Sequence, residues 1–209
     1  MREILCFGDS NTWGYDPVTR GRFPNDVRWT GVLQAALGRE FQVIEEGLNG
    51  RTTVWEDPVD GDKMGRRHLP VCLESHTPLD LVILMLGTND TKKRFSAAAT
   101  DIADGLGVLL NIVARSTAGR SGSAPPVLVM APAPITKLTE LAPMFEGGAE
   151  KSRALSLLYA GAARARDCPF LDAGAVVRCS DLDGIHLEEA AHRVLGAAVA
   201  REVRRIFPA

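Results

Sequence analysis

The chain has 209 residues, 45% of them hydrophobic and 24% charged, with a formal net charge of −2. That length suits a single domain with one full core, read here as residues 1–209, and the composition is ordinary for a globular protein. The charge leaves no basic field for nucleic acid and no polybasic patch for a membrane surface.

Ile4-Leu5-Cys6-Phe7 reads as a short buried strand. This apolar run is shorter than the ~7–15 residues that the core of a signal peptide needs, which predicts a cytoplasmic protein. Gly8 is expected to let the backbone turn sharply, and Ser10 follows two residues later. Trp29, Val32, Leu33, Ala36 and Leu37 fall at helical spacing, with Gly38 as the stop. Phe41 to Glu45 forms the second strand, running into Gly47-Leu48-Asn49-Gly50. Residues 56–66 read as loop, and a short helix over His68 to His76 is weakened by Pro70.

Leu81 to Leu86 is the strongest strand, an unbroken apolar run of the kind found in a strand covered on both faces. It is far too short to span a bilayer and ends in Gly87-Thr88-Asn89-Asp90. Ile102, Leu106, Leu109, Leu110 and Val113 mark a helix. Gly105 and Gly107 weaken it by ~1 kcal/mol each but allow close packing. Val127 to Met130 is the fourth strand. Residues 132–148 carry prolines yet are too apolar for an idle surface loop, with Ile135, Leu138, Leu141, Met144 and Phe145 among them. Leu155, Leu158, Tyr159 and Ala162 give another helix, Pro169 to Asp172 a last strand, and Leu195, Val199, Val203 and Ile206 the closing helix.

Strands alternating with helices predict a three-layer α/β/α fold, one five-stranded parallel sheet with helices on both faces, in the order 2-1-3-4-5. In such a sheet the ends of neighbouring strands share one rim, where ligands bind. Ser10, Gly50 and Asn89 follow the first three strands, and Asp183-Gly184-Ile185-His186 precedes the final helix. Acyl transfer needs a nucleophile, a base, a group that orients the base, and donors aimed at the developing oxyanion. Ser10, His186 and Asp183 supply the first three. The N–H groups of Ser10 and Gly50 and the side-chain amide of Asn89 supply the donors. A glycine at 50 lets the backbone approach the substrate, and Asn89 donates without carrying charge.

The blocks GDSN (8–11), LNGRTT (48–53), GTND (87–90) and DGIH (183–186) resemble, in order and spacing, those of the SGNH (GDSL-type) hydrolase family. The strings ILCFGDSNTWG, DVRWTGVL, VIEEGLNGRTT, TPLDLVILMLGTNDTK and FEGG further resemble its bacterial arylesterase/acyltransferase branch. The resemblance implies a flavodoxin-like sheet, a Ser-His-Asp triad, no cofactor and small-molecule esters as substrates. It further implies acyl transfer to alcohols or hydrogen peroxide in competition with hydrolysis, and a large homo-oligomer such as an octamer. Asn11 stands where the family usually has leucine, a departure expected to alter the local helix start.

Other residues carry two readings each. Asp9 either lines the site or, the favoured reading, caps backbone N–H groups beside the turn. Trp13, Tyr15, Phe145 and Ile185 are each explained by core packing, yet together they would wall a narrow acyl pocket. An apolar mouth of that kind would favour an alcohol or peroxide over water. His68 and His76 are expected to be exposed. His192 lies six residues from His186 and, on a shared helix, would face another way, so no metal site is expected. The four cysteines, Cys6, Cys72, Cys168 and Cys179, read as free thiols, with two disulfides as the alternative. A carbohydrate O-deacetylase or a thioesterase would use the same machinery, and a catalytically inert flavodoxin-like binding module is the reading from another class. Nucleotide binding fails because neither G-x-G-x-x-G nor the P-loop pattern occurs.

Overall fold

A computed structural model describes residues 1–208. The five strands are β1 (Arg2–Gly8), β2 (Phe41–Gly47), β3 (Leu81–Met85), β4 (Val127–Ala131) and β5 (Phe170–Asp172), all parallel, in the order β2-β1-β3-β4-β5. The helices are α1 (Ser10–Trp13), α2 (Trp29–Leu37), α3 (Gly65–Ser75), α4 (Ala99–Ala114), α5 (Gly148–Arg164) and α6 (Glu189–Ile206). Alternate residues of β1 point to opposite faces, as the strand period requires. Leu5 and Phe7 join the core under α3, α4 and α5, whereas Ile4 and Cys6 join the one under α2 and α6. Both β3 and β4 are buried throughout, which is why their sequences show no polar alternation.

Two helical expectations need correction. The helix α3 is longer than predicted and carries Pro70 in its interior. Burial of Leu69, Cys72 and Leu73 against the sheet outweighs the backbone bond lost at the proline. The helix α6 begins only at Glu189, so His186 and His192 do not share a helix. His68 and His76 are half-buried rather than exposed. The ring of His76 sits 2.9 Å from Glu46 and that of His68 3.5 Å from Asp62. Gly105 lets α4 close on the loop that follows β2, since a Cβ there would meet Thr53 Oγ1 at 2.3 Å. All four cysteines are free. Among the described residues no helix is long and apolar enough to cross a membrane.

His192 is fully buried between α6 and α2, where its Nδ1 accepts the Trp29 N–H at 3.3 Å. Burial pushes its imidazole down to about 4, with the positive fields of His186 and Arg28 acting in the same direction. An unfolded chain protonates this ring near pH 6.5, so between 6.5 and 4 the unfolded state holds the extra proton. Stability is therefore lost as pH falls through that window, by about 3 kcal/mol from this residue. Urea unfolding at pH 7 and pH 4 should show a fall smaller by about that amount in His192→Asn, which keeps an acceptor for Trp29.

Candidate active site

The register of the sheet builds the rim. Gly8 pairs with Gly47 on one side and with Met85 on the other, so β1, β2 and β3 end in one row. The loops that follow deliver Ser10, Gly50 and Asn89 to a common cleft of about 330 Å³. Gly8 has no positive φ, so turning is not what demands a glycine there. The demand is room: a Cβ would lie 2.1 Å from Thr12 Oγ1 and 2.9 Å from the Met85 carbonyl. At Gly50 the backbone conformation itself favours a glycine. Its φ of 81° is the left-handed region, while a Cβ would meet nothing closer than 3.8 Å.

Ser10 opens α1, and Asp9 caps that helix by accepting the Asn11 N–H at 3.0 Å. Ser10 Oγ lies 2.9 Å from His186 Nε2, and His186 Nδ1 lies 2.6 Å from Asp183 Oδ2. The other oxygen of Asp183 accepts the N–H groups of Ile185 (2.9 Å) and His186 (3.0 Å), which closes the loop on itself. Burial pushes the Asp183 carboxyl up, but its bonds to the His186 ring and these two amides outweigh that and hold it below the usual carboxylate range. With Asp183 ionised, Nδ1 carries the hydrogen and Nε2 is left to accept from the serine. Tyr15 lies against the imidazole, ring centroids 4.1 Å apart.

On the donor side, the Asn89 amide gives one hydrogen to the Arg51 carbonyl at 3.2 Å, which leaves the second for the cleft. The N–H groups of Ser10 and Gly50 have no protein acceptor among the described residues. The cleft is further lined by Tyr15, Phe145 and Ile185 of the predicted wall, whereas Asp9 and Trp13 do not line it. Asp9 is buried beneath the rim in its capping role, and burial pushes its carboxyl up to about 6. Trp13 instead stacks under the Arg22 guanidinium, 5.1 Å from the ring centre. Phe145, Ile185 and Ile135 form a small cluster of their own, with Leu138, Leu141 and Met144 packed on it. That packing explains the apolar character of the 132–148 segment. Among the described residues no group of three or more His, Cys, Asp or Glu side chains is arranged to hold a metal ion.

Residues 6–194 match the model of the GDSL-like lipase/acylhydrolase family. The chain belongs to that family. Solved structures of high similarity include the native aryl esterase of M. smegmatis, with TM-score 0.95, 47% identity and coverage of 99% of this chain and 100% of that one. Est24, a carbohydrate acetylesterase from Sinorhizobium meliloti, superposes with TM-score 0.96 at 44% identity, with the same coverage. A carbohydrate acetylesterase family member from Sinorhizobium meliloti gives TM-score 0.94 at 40% identity over the full length of both chains. Among curated protein sequences none matches the chain. The five-stranded order and the family together identify a carboxylic ester hydrolase.

Several residues at the site of this acylhydrolase escape a reading of strand ends. Lys92 is buried at the cleft wall, with Nζ 2.9 Å from Asp57 Oδ2 and 2.8 Å from Asp60 Oδ2. Asp57, also bound by Arg94 at 2.8 Å, accepts the N–H groups of Val59 and Asp60 and so pins the 57–61 turn beside the cleft. Arg51 reaches under β1 to the Gly8 carbonyl at 2.9 Å and packs its guanidinium on Phe7, 4.0 Å from the ring centre. Aspartates in a loop and a lysine beyond a strand are common surface features, so only the fold shows that Lys92 and Asp57 are buried against each other. Asn11 is the other case. Helix α1 starts on Asp9, and the Asn11 side chain turns away from it towards residues 185–187.

Proposed function

We propose that this esterase cleaves small carboxylic esters, aryl acetates among them, in two steps through an acyl-enzyme on Ser10. One observation carries the reading: Ser10, His186 and Asp183 form a continuous chain of 2.9 Å and 2.6 Å contacts opening on a cleft that also holds Asn89 and Gly50. Ser10 Oγ attacks the ester carbonyl while His186 Nε2 takes its proton, and Asp183 holds the resulting imidazolium. The oxyanion of the tetrahedral adduct receives hydrogen bonds from Ser10 N–H, Gly50 N–H and Asn89 Nδ2. The adduct collapses as His186 returns the proton to the departing alkoxide or phenoxide, which leaves the acyl group on Ser10. A water, deprotonated by the same imidazole, then attacks the acyl carbonyl, and as this second adduct collapses His186 returns the proton to Ser10 Oγ and the acid leaves.

The cleft volume is at the small end for ligand pockets, and Phe145, Leu141, Met144 and Ile185 offer an apolar face for a short acyl chain. An alcohol or hydrogen peroxide reaching the acyl-enzyme would take the place of water, with ester or peracid as product. The polar side of the cleft, with Asn49, Asp60, Lys92 and Glu140, supports a second reading. A hydroxyl-rich leaving group would find donors and acceptors there, as on an acetylated sugar. A cytoplasmic setting fits the free thiols.

Reaction with a p-nitrophenyl alkylphosphonate, followed by peptide mass spectrometry, should place a single adduct on Ser10. Rates on short aryl esters, acetylated sugars and acyl thioesters then rank the leaving groups. An adduct on another residue, or none in an active preparation, overturns the reading.

A further inference from the structure

Asn11 follows the predicted nucleophile directly and is buried, with 5% of the residue exposed. Its Nδ2 donates to the carbonyl of Ile185 at 3.2 Å, and its Oδ1 accepts the N–H of Leu187 at 3.0 Å. These two peptide groups lie on either side of His186. A carboxamide carries a donor and an acceptor spaced like those of a peptide group, so Asn11 pairs with residues 185–187 as a neighbouring strand would. The remaining backbone groups of His186 are engaged as well: its N–H by Asp183 and its carbonyl by the Ser180 N–H at 2.8 Å. Asn11 is absent from the cleft lining, so it has no direct hold on substrate.

We propose that Asn11 is the positioning residue that registers the base against the nucleophile. The turn that carries Ser10 grips, one residue later, the main chain on both sides of His186, and this fixes the 2.9 Å contact between Nε2 and Oγ. Asp183 orients the ring within its own loop, whereas Asn11 anchors that loop to the serine. Leucine, usual at this place in the family pattern, makes neither bond, and in this chain it would leave the Ile185 carbonyl and the Leu187 N–H without their partner.

The proposal rests on Ser10 and His186 acting as nucleophile and base, and the test separates the two. Wild type, Asn11→Leu and the near-isosteric Asn11→Asp are compared on p-nitrophenyl acetate. Asn11→Asp keeps the acceptor for Leu187 and loses the donor to Ile185. The expected result is a kcat lower by about 10- to 100-fold in Asn11→Leu and about 10-fold in Asn11→Asp, with KM within about twofold, because a displacement of the order of 1 Å costs that much without altering binding. In proton NMR, the Nδ1-bound hydrogen between His186 and Asp183 should be sharp and downfield in wild type and should broaden or vanish in both variants. Val199→Ala, a core change in α6 that lowers stability away from the site, should keep both kcat and the signal. Wild-type kcat with an intact signal in a folded Asn11→Leu overturns the proposal, as does failure of both Asn11 variants to fold. If phosphonate labelling misses Ser10 in the wild type, the reading of the triad fails instead.

Discussion

Ser10→Ala should lower kcat on a short aryl ester by about 10⁶, the size of loss when the nucleophile of a serine triad is removed. The side-chain oxygen of Ser10 is bound in the fold by the His186 ring alone, so its removal leaves the cap, the sheet and the donor groups in place. Thermal unfolding should therefore be almost unchanged while turnover collapses. His186→Ala should cost about as much, and the double variant no more than either single one, because the triad acts as a unit and its losses do not add. Stopped-assay kinetics on protein freed of wild-type traces, with the phosphonate adduct as a count of competent sites, check both statements. A Ser10→Ala variant within tenfold of wild type, or losses that multiply in the double variant, would rule out the shared-proton route.

Asn89→Ala is expected to reduce kcat by about 10²–10³ with little change in KM, since an oxyanion donor acts on charge that exists only after attack. The Asn89 amide also bonds the Arg51 carbonyl, so truncation adds a stability cost of about 1 kcal/mol. Normalising turnover to the folded fraction separates the two effects. Asn89→Asp should be at least as inactive, because a carboxylate accepts where a donor is needed and repels the oxyanion. Retention of near wild-type turnover in folded Asn89→Ala would leave only the N–H groups of Ser10 and Gly50 to carry the charge and would remove Asn89 from the mechanism.

Placed together, these variants separate chemistry from alignment. On the proposed mechanism, loss of Ser10 or His186 should stop the acyl-enzyme forming, loss of Asn89 should leave the oxyanion less well stabilised, and loss of Asn11 should displace the imidazole from the serine proton. Each leaves a different trace: labelling, turnover at constant KM, or the hydrogen between His186 and Asp183.

Much of this arrangement was legible without coordinates, because the signals are local. An apolar run such as Leu81 to Leu86 marks a covered strand within a few residues, and parallel strands with right-handed crossovers leave few orders, among which the expected 2-1-3-4-5 is the one the fold adopts. Ser10, Gly50 and Asn89 each stand just beyond a strand, which is why they converge as expected. Other features depended on contacts that no local pattern carries. Burial under the sheet holds α3 together through Pro70. The room at Gly8 is set by Thr12 and Met85. Trp13 faces Arg22 rather than the cleft. The ionic hub at Lys92 joins Asp57 and Asp60 from more than 30 positions away in the chain.

The chain's own order of residues thus determined the layers, the strand order and the three loops that meet at the rim, since periodicity and turn chemistry act over a few residues. The closed packing decided which groups share a buried hydrogen bond. Asn11 and the peptides of Ile185 and Leu187, 174 and 176 positions apart, are paired because the fold excludes water from both partners at once and each is the other's available match.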